Sequence, residues 1–179
     1  MIVSGFISLD CGLPEHLSYS ALVTGINYIS DAKFIDTGVT RRISPMFPQH
    51  LTHLRSFQSG VRNCYRINVT TGTRYLIRAT FYYGNYDNLN DPPQFDLHFG
   101  ANVWDTVKLI TNSSLATFRE MIYTPSQDYI EPCLVNTGKG TPFISAIELR
   151  PLDSKAYVIY PLVFSLFRRC DLGSITNRG

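Results

Sequence analysis

The sequence predicts an all-β fold, a sandwich or a barrel built from many short strands. Apolar and polar side chains alternate over several short segments, which places each set on its own face of a strand. Gly, Pro and Asn interrupt these segments at short intervals, a pattern typical of sandwiches and barrels. No segment of any length shows the 3.6-residue apolar period of an amphipathic helix.

The first third of the chain predicts short strands with long connections. Phe6–Leu9 is the opening strand. Leu17–Gly25 is ambiguous between coil and a short helical turn, and Tyr28–Ile35 leads into a turn at Asp36–Gly38. Arg41–His53 contains two prolines, and we expect it to be an irregular surface loop.

The centre of the chain predicts a β-hairpin. Asn63–Val69 and Arg74–Tyr82 both alternate with a period of two. The turn Thr70–Thr73 between them contains a glycine, which makes the two segments a hairpin candidate. Phe95–Phe99 alternates again and predicts the next strand.

The last part of the chain predicts further strands. They are Thr106–Ile110, Phe118–Tyr123, Tyr129–Asn136, Phe143–Arg150 with Ile147 and Leu149 inward, and material within Val158–Phe167. Pro132 interrupts one of them. Because proline cannot donate to a strand ladder, we expect that strand to lie at an edge or to carry a bulge.

Composition excludes several classes of function. A chain of 179 residues is most simply one domain with a real core. Its 16 basic and 14 acidic residues give a net charge of +2 without any run of like charges, which argues against a nucleic-acid surface. The longest apolar-rich run, Tyr157–Phe167, is far shorter than the roughly 20 residues of a spanning helix, so we expect no membrane segment in this chain.

The cysteines and two sequons favour the secretory pathway. Cys11, Cys64, Cys133 and Cys170 lie too far apart for a C-x-x-C zinc site, and they are disulfide candidates with three possible pairings. The N-glycosylation sequons begin at Asn68 and Asn112. Asn68 falls on the polar face of its predicted strand beside a turn, where a glycan has room.

Several long motifs resemble one known family. The motifs are R-N-C-Y at Arg62–Tyr65, Y-L-I-R-A-T-F-Y-Y-G-N-Y-D at Tyr75–Asp87, P-P-Q-F-D-L-H-F-G-A-N-V-W-D-T-V at Pro92–Val107, and the stretches Gly5–Leu13, Asp31–Gly38 and Cys133–Leu152. In this order they resemble the malectin-like domain of plant leucine-rich-repeat receptor-like kinases. Two positions depart from the family pattern: Pro132, where a β-branched residue is usual, and Cys170, which the resemblance leaves without an obvious partner.

The resemblance implies a fold and a location. It implies a jelly-roll β-sandwich of the malectin or galactose-binding-like type over residues 1–172, the first module of a usual tandem, with residues 173–179 as a disordered tail. It also implies an extracellular position at the plasma membrane as part of a full-length receptor, or a secreted product for a truncated chain.

The aromatic loop Tyr82–Asp91 is the predicted ligand site. Aromatic rings cover the C–H faces of sugars, while Asp and Asn side chains hydrogen-bond the hydroxyl groups. Animal malectin, a distant member of the family, binds glucose oligosaccharides in this way at the loop end of its sheet. The resemblance carries that role to Tyr28, Tyr82 and Tyr83, and the residues themselves add three further candidates, Asn85, Tyr86 and Asp87.

Each candidate has a structural alternative. Tyr82 and Tyr83 could cap the core while the Asn and Asp residues form turns, and a turn is also favoured over a calcium site at Asp87–Asp91. The H-x-x-H pair at His50–His53 lacks the glutamate of a zincin motif, so we predict no metal there. Trp104 lies between strand-like residues and is interpreted as a packing residue rather than as one that stacks on a ligand.

Together these observations predict a non-catalytic, carbohydrate-binding module without a cofactor. The chain contains no G-x-S-x-G elbow, no phosphate-binding G-x-x-x-x-G-K and no Gly-rich kinase loop. The expected ligand is an oligosaccharide or cell-wall glycan. The alternative is a module that binds a peptide or a co-receptor without sugar affinity. A glycosidase domain is ranked third: the 14 acidic residues offer many carboxylate pairs, but no feature of the sequence singles out one pair.

Overall fold

The computed structural model describes residues 6–43, 48–110 and 115–153, together with the backbone of 163–165. Within these ranges the chain forms sixteen strands and a short 3-10 helix at Gln49–Leu51. The strands are β1 Ile7–Asp10, β2 Ser18–Ser20, β3 Asn27–Ser30, β4 Val39–Arg42, β5 His53–Ser56, β6 Arg62–Cys64, β7 Ile67–Asn68, β8 Tyr75–Phe81, β9 Gln94–Phe99, β10 Asn102–Lys108, β11 Thr117–Tyr123, β12 Tyr129–Ile130, β13 Pro132–Lys139, β14 Phe143–Ile144, β15 Ala146–Pro151 and β16 Val163–Ser165.

Two large sheets form the sandwich. The first has seven strands in the order β16-β11-β8-β15-β1-β3-β2, and the second has four in the order β10-β9-β13-β6. Two small sheets, β12-β7 and β14-β5-β4, complete the described fold. Neighbouring strands are antiparallel except β1 and β3, which pair in parallel. The all-β sandwich predicted from alternation is therefore confirmed.

The core lies between the two large sheets. Ile77 of β8 and Leu149 of β15 contribute from the first sheet, and Leu97 of β9 and Leu134 of β13 contribute from the second. Phenylalanine rings join the layers edge to face, with Phe81 and Phe95 centroids 5.7 Å apart. Ile147 and Leu149 face this core as the alternation predicted, because side chains of one parity share a face of a strand.

The central hairpin prediction was wrong. Asn63–Val69 is divided between β6, which pairs with β13, and β7, which pairs with β12. β8 instead lies between β11 and β15 in the seven-stranded sheet. Six of the seven residues of β8 are buried, so both faces of this strand are covered. Its two neighbours, β11 and β15, come from distant parts of the sequence and make it an inner strand of the sheet. The local turn at Thr70–Thr73 only redirects the chain between layers.

The prediction of a sheet edge or a bulge at Pro132 was also wrong. β13 is an inner strand that pairs with both β9 and β6, and Pro132 is its first residue. Proline has no N–H to donate to the strand ladder, and it is tolerated at the first residue of a strand. The register irregularity of β13 occurs later, between Asn136 and Lys139.

Other predictions are refined at their ends. The predicted loop Arg41–His53 begins within β4 and ends at the start of β5, and residues 44–47 lie outside the described residues. The strand expected within Val158–Phe167 corresponds to β16, but the rest of that segment and the predicted tail 173–179 also lie outside them.

Candidate ligand-binding site

The loop after β8 packs its aromatic rings against the end of the core. Tyr82 is only 5% exposed, whereas Tyr83 and Tyr86 are half-buried. The Tyr83 and Tyr86 rings lie 5.7 Å apart, and their centroids are 6.1 Å and 5.4 Å from that of Phe143. Each of these two tyrosines therefore has one part of its ring in the core and another part available to a ligand.

The polar side chains of this loop bond mainly to one another. The Tyr83 hydroxyl donates to a carboxylate oxygen of Asp87, and the Asn85 amide donates to Asn90 Oδ1 over 2.9 Å. In return the Asn90 backbone N–H donates to Asn85 Oδ1 over 2.9 Å. Asn85, Asn88 and Asn90 all have positive φ, which asparagine tolerates better than most residues. The predicted turn chemistry is thus present beside the predicted aromatic site.

Burial and this bonding also fix the protonation of the loop tyrosines. Burial, together with the hydrogen bond to Asp87, raises the pKa of Tyr83 to about 12. Burial raises the pKa of Tyr86 as well, with the Asp87 charge adding to it. Both phenols are therefore neutral donors at any physiological pH, and the Tyr86 hydroxyl is buried without a hydrogen-bond partner among the described residues.

Tyr28 lies apart from the loop. It is on β3, three strands away from β8 in the same sheet, so about 14 Å separates them at the usual strand spacing. Its ring is 1% exposed and stacks between Tyr19 and His50, with centroids 5.5 Å and 5.0 Å away. Its hydroxyl donates to Glu148 Oε1 over 2.6 Å. The structure does not bring Tyr28 together with Tyr82 and Tyr83, and its role in ligand binding stays a prediction.

Tyr28 belongs to a polar row that crosses the outer face of the seven-stranded sheet. The register pairs Glu120 with Arg78, Arg78 with Glu148, Glu148 with Ser8, and Tyr28 with Tyr19. Arg78 Nε donates to Glu120 Oε1 over 2.7 Å. Burial raises the pKa of Glu148, but Arg150, the Tyr28 hydroxyl and Arg78 outweigh it, so the net pKa is lowered and the carboxylate is ionised. This row explains why a buried tyrosine on this face is satisfied without a ligand.

A cleft of about 310 Å³ lies at the other end of the sandwich. Its walls are the β9–β10 turn and the segment before β13, joined where the Gly100 N–H donates to the Glu131 carbonyl over 2.8 Å. It is lined by Phe99, Gly100, Ala101, Asn102, Val103, Trp104, Met121, Tyr123, Ser126, Gln127, Tyr129, Ile130 and Glu131. Sequence reasoning did not single out this set, because its members come from three separate stretches of chain.

Trp104 is placed in this cleft by a β-bulge. Val103 pairs with His98 and Asp105 pairs with Leu97, so Trp104 has no partner opposite it on β9. Bulges re-aim side chains next to functional sites. The prediction that Trp104 lies in a strand and packs is confirmed by its place in β10 and its edge contact with Phe99, 6.1 Å between centroids. The ring nevertheless remains half-buried and lines the cleft.

The cysteine and sequon predictions are partly resolved. Cys64 and Cys133 face each other across β6 and β13 and form a disulfide. Cys11 is a free, buried thiol, and burial raises its pKa, so it is protonated. Asn68 is exposed, which leaves room for a glycan. Asn112 and Cys170 lie outside the described residues.

The H-x-x-H pair, His50 and His53, is engaged in packing and polar contacts and forms no metal-binding group within the described ranges. Among the described residues, no three His, Cys, Asp or Glu side chains come together in a metal-binding group. His50 instead stacks on Tyr28, and His53 Nδ1 lies 3.6 Å from Asp10 Oδ1. The same ranges contain no helix of the length and apolarity needed to cross a membrane.

The fold is an all-β sandwich with aromatic and hydrogen-bonding side chains gathered at both ends. The chain belongs to the malectin-like domain family, whose model matches residues 9–178. It is 47% identical over 180 residues to the LRR receptor-like serine/threonine-protein kinase IOS1 of Arabidopsis thaliana, a match that covers 98% of this chain and 20% of the relative. The chain thus spans about a fifth of the length of the curated relatives it matches.

Solved structures share the fold. The plant receptor-like kinase FER superimposes with a TM-score of 0.69 at 20% identity, over 84% of this chain and 43% of that one. A structure of the plant peptide RALF23 in complex with FER and LLG2 matches with a TM-score of 0.62 at 19% identity, over 84% of this chain and 40% of that one. The ANX2 ectodomain of Arabidopsis thaliana gives 0.67 at 22% identity, over 83% and 42%. These likenesses establish a fold found in receptor-kinase ectodomains.

Proposed function

We propose that this chain is a non-catalytic recognition module of an extracellular receptor-kinase ectodomain, and that it binds a glycan or a cell-wall oligosaccharide. Family membership and the kinase relatives support the receptor context. A full-length receptor of this kind places the module outside the cell at the plasma membrane, whereas a shorter product is secreted. The proposal gives the module no cofactor and no catalytic residue.

The observation that carries the glycan proposal is the half-exposed aromatic pair Tyr83 and Tyr86 beside a carboxylate. The two rings stand nearly perpendicular, with an interplanar angle of 80°, and Asp87 lies at the Tyr83 hydroxyl. A sugar stacked on the Tyr83 face would meet Asp87 and Asn85 as hydrogen-bonding groups, a combination suited to oriented recognition of hydroxyls. Tyr82, a buried ring of the same loop, would act behind this surface, whereas the proposed role of Tyr28 would be exerted from its separate, buried position on β3.

A glycan array on the secreted 179-residue chain tests this proposal. We expect wild type to retain at least one neutral cell-wall oligosaccharide, and Tyr83→Ala or Asp87→Ala to weaken it about tenfold, or ~1.4 kcal/mol. Phe118→Ala is the matched control, because Phe118 is an exposed aromatic (52%) on β11 outside the loop. Thermal unfolding of each variant separates lost binding from lost folding. Binding to no glycan at all by folded wild type would remove the carbohydrate function.

A second candidate is recognition of a peptide or a co-receptor. Two observations favour it: one matching solved structure contains the peptide RALF23 with FER and LLG2, and most polar groups of the Tyr82–Asp91 loop are already bonded to one another. A pull-down from apoplastic extract with wild type and Tyr83→Ala, followed by sequencing of small retained peptides, tests it. A peptide retained by wild type alone, with no glycan bound, would support this second candidate.

The extracellular assignment has its own test. The cross-strand disulfide Cys64–Cys133 and the exposed sequon at Asn68 both suit an oxidising secretory environment. Mass measurement of secreted wild type and Asn68→Gln, before and after deglycosylation, should show one glycan that the variant lacks. Reduced Cys64 and Cys133 in secreted material with an unmodified Asn68 would contradict it.

A further inference from the structure

We propose that the cleft between the β9–β10 turn and Ser126–Glu131 is a binding site for a short neutral oligosaccharide. This inference rests on the proposed glycan function, but it places a site at the end of the sandwich opposite the Tyr82–Asp91 loop. Tyr123 pairs with Tyr75 at the start of β8, whereas the loop follows the end of β8 at Phe81. β8 has seven residues, so its two ends are six residue steps apart, or about 20 Å.

The aromatic lining gives the cleft surfaces for sugar rings. Phe99 is at the centre, with Tyr123 at 4.6 Å and Trp104 at 6.1 Å, both edge to face. Tyr129 lies on the opposite wall, and the Arg66 guanidinium covers one face of its ring at 3.5 Å. Trp104 owes its direction to the bulge in β10. Flat, partly exposed rings on two sides of a cleft suit the C–H faces of a pyranose.

The polar lining of the cleft is available, which distinguishes it from the Tyr82–Asp91 loop. Among the described residues, the side chains of Asn102, Ser126 and Gln127 make no hydrogen bond to protein, although all three line the cleft. In the loop, by contrast, Asn85 and Asp87 are already engaged. Side-chain amides and a hydroxyl offer both donors and acceptors, which is what sugar hydroxyls require.

Charge favours a neutral ligand. Glu131 is the charged residue of the cleft lining, and Arg66 Nη1 lies 3.3 Å from its Oε1. The pair leaves the rim close to neutral, so neither an acidic nor a basic ligand gains a long-range attraction. The volume, about 310 Å³, is at the lower end of the roughly 300–1,000 Å³ typical of small-ligand pockets, so it admits a short segment of a chain.

The sequon at Asn68 lies beside this cleft. Asn68 is directly opposite Tyr129 in the β7–β12 pair, so a glycan on Asn68 would emerge next to a lining residue. Binding should therefore be measured on enzymatically deglycosylated protein as well as on untreated protein, since a glycan on Asn68 would lie close to the Tyr129 ring.

The test uses Trp104 as a built-in reporter, because it is the only tryptophan of the chain. Cellotetraose, a mixed-linkage β-glucan tetrasaccharide and an arabinogalactan oligosaccharide are titrated up to ~10 mM, with an oligogalacturonide as the acidic comparison. We expect a saturable change of tryptophan fluorescence with at least one neutral oligosaccharide and a weaker response to the acidic one. Gln127→Ala and Tyr129→Ala should each weaken it about tenfold. Phe118→Ala should leave it unchanged, because Phe118 is an exposed aromatic outside both the loop and the cleft lining.

Calorimetry on the same samples separates the two proposals. Calorimetric binding without any fluorescence change, retained in Gln127→Ala and Tyr129→Ala but lost in Tyr83→Ala, would overturn the cleft site and leave the glycan function in place. Absence of calorimetric binding to every saccharide would overturn both. A Trp104 response to a peptide and to no saccharide would overturn the saccharide assignment of the cleft. Gln127 is exposed and makes no hydrogen bond to the described protein, so its variant should fold normally.

Discussion

Arg55 and Asp31 form a two-point ion pair inside the sandwich. Arg55 Nε lies 2.6 Å from Asp31 Oδ2, and Nη2 donates to Oδ1 over 2.8 Å. Both side chains are buried, and the Tyr65 hydroxyl and the Gly12 N–H also donate to the same carboxylate. This carboxylate therefore ties the turn after β1 to β5 and to the segment that follows the disulfide strand β6.

We expect Asp31→Ala to destabilise the fold strongly. Removing one partner of a buried pair leaves an uncompensated charge on Arg55, at a cost of about 3–5 kcal/mol. Urea unfolding measures it. Arg66→Ala is the control, because the Arg66–Glu131 pair is largely exposed and such pairs contribute about 0–1 kcal/mol. If Asp31→Ala and Arg66→Ala lowered the free energy of unfolding equally, the buried Asp31–Arg55 pair would not have the stabilising role assigned to it.

Gly12 is required for close packing. Its φ is +91°, and a Cβ there would lie 2.3 Å from the Leu54 carbonyl oxygen. Gly12→Ala therefore needs a backbone shift and should cost more than ~3 kcal/mol in the free energy of unfolding. Gly72 has a similar φ, +78°, but nothing within 4 Å, so Gly72→Ala should lose only ~1 kcal/mol. A thermal-melting comparison of the two checks this ranking, and the reverse order would refute it.

The Cys64–Cys133 disulfide should stabilise the fold substantially. It closes a loop with a sequence separation of 69 residues. In the chain-entropy description, cross-linking a loop of that size stabilises by about 4 kcal/mol, because the unfolded chain loses freedom. Denaturant unfolding of the Cys64→Ser, Cys133→Ser double variant measures the loss. Cys11→Ala keeps the disulfide and is the control for removal of a cysteine side chain. A double variant without the disulfide that is as stable as wild type would contradict the expectation.

Asp10 should make stability depend on pH in an unusual direction for a carboxylic acid. Burial, opposed by the hydrogen bond from Tyr19 and reinforced by the Asp31 charge, raises the pKa of Asp10 from 3.8 to about 7. Between these two values the folded chain holds a proton that the unfolded chain has lost. The Asp10 contribution to the free energy of unfolding is therefore full below about pH 4, falls as pH rises to about 7, and is constant above it.

Urea unfolding of wild type and Asp10→Asn across pH 4 to 8 measures this contribution. The free energy of unfolding of wild type, minus that of the variant, should fall by on the order of 1–3 kcal/mol between about pH 4 and pH 7. Burial and the Arg42 charge lower the pKa of His53, which gives a slope of the opposite sign. Because His53 Nδ1 lies 3.6 Å from Asp10 Oδ1, both proteins carry His53→Gln, which removes the His53 contribution from the comparison. A difference that is independent of pH would mean that Asp10 is ionised in the folded state.

Strand existence was largely predictable, whereas strand partners were not. The predicted strands Phe95–Phe99 and Phe118–Tyr123 lie within a residue of β9 and β11. The alternation is clearest in β9, where Phe95 and Leu97 are buried and the residues next to them are only partly buried. The hairpin prediction for β8 was wrong because local sequence does not show which strands flank it. Both of its faces are buried, its neighbours β11 and β15 lie far along the chain, and a nearby glycine turn resembled a hairpin.

The sequence alone determined the all-β class, the family and the presence of an aromatic, turn-forming loop, since these follow from local alternation and from contiguous motifs. Only the tertiary structure decided that Tyr28 lies three strands away from the strand that precedes Tyr83, that Cys64 meets Cys133, and that Trp104 and Tyr129 line one cleft. The reason is physical. Sheet order and a single bulge are set by burial summed over distant segments, and no local pattern records which strands will be neighbours.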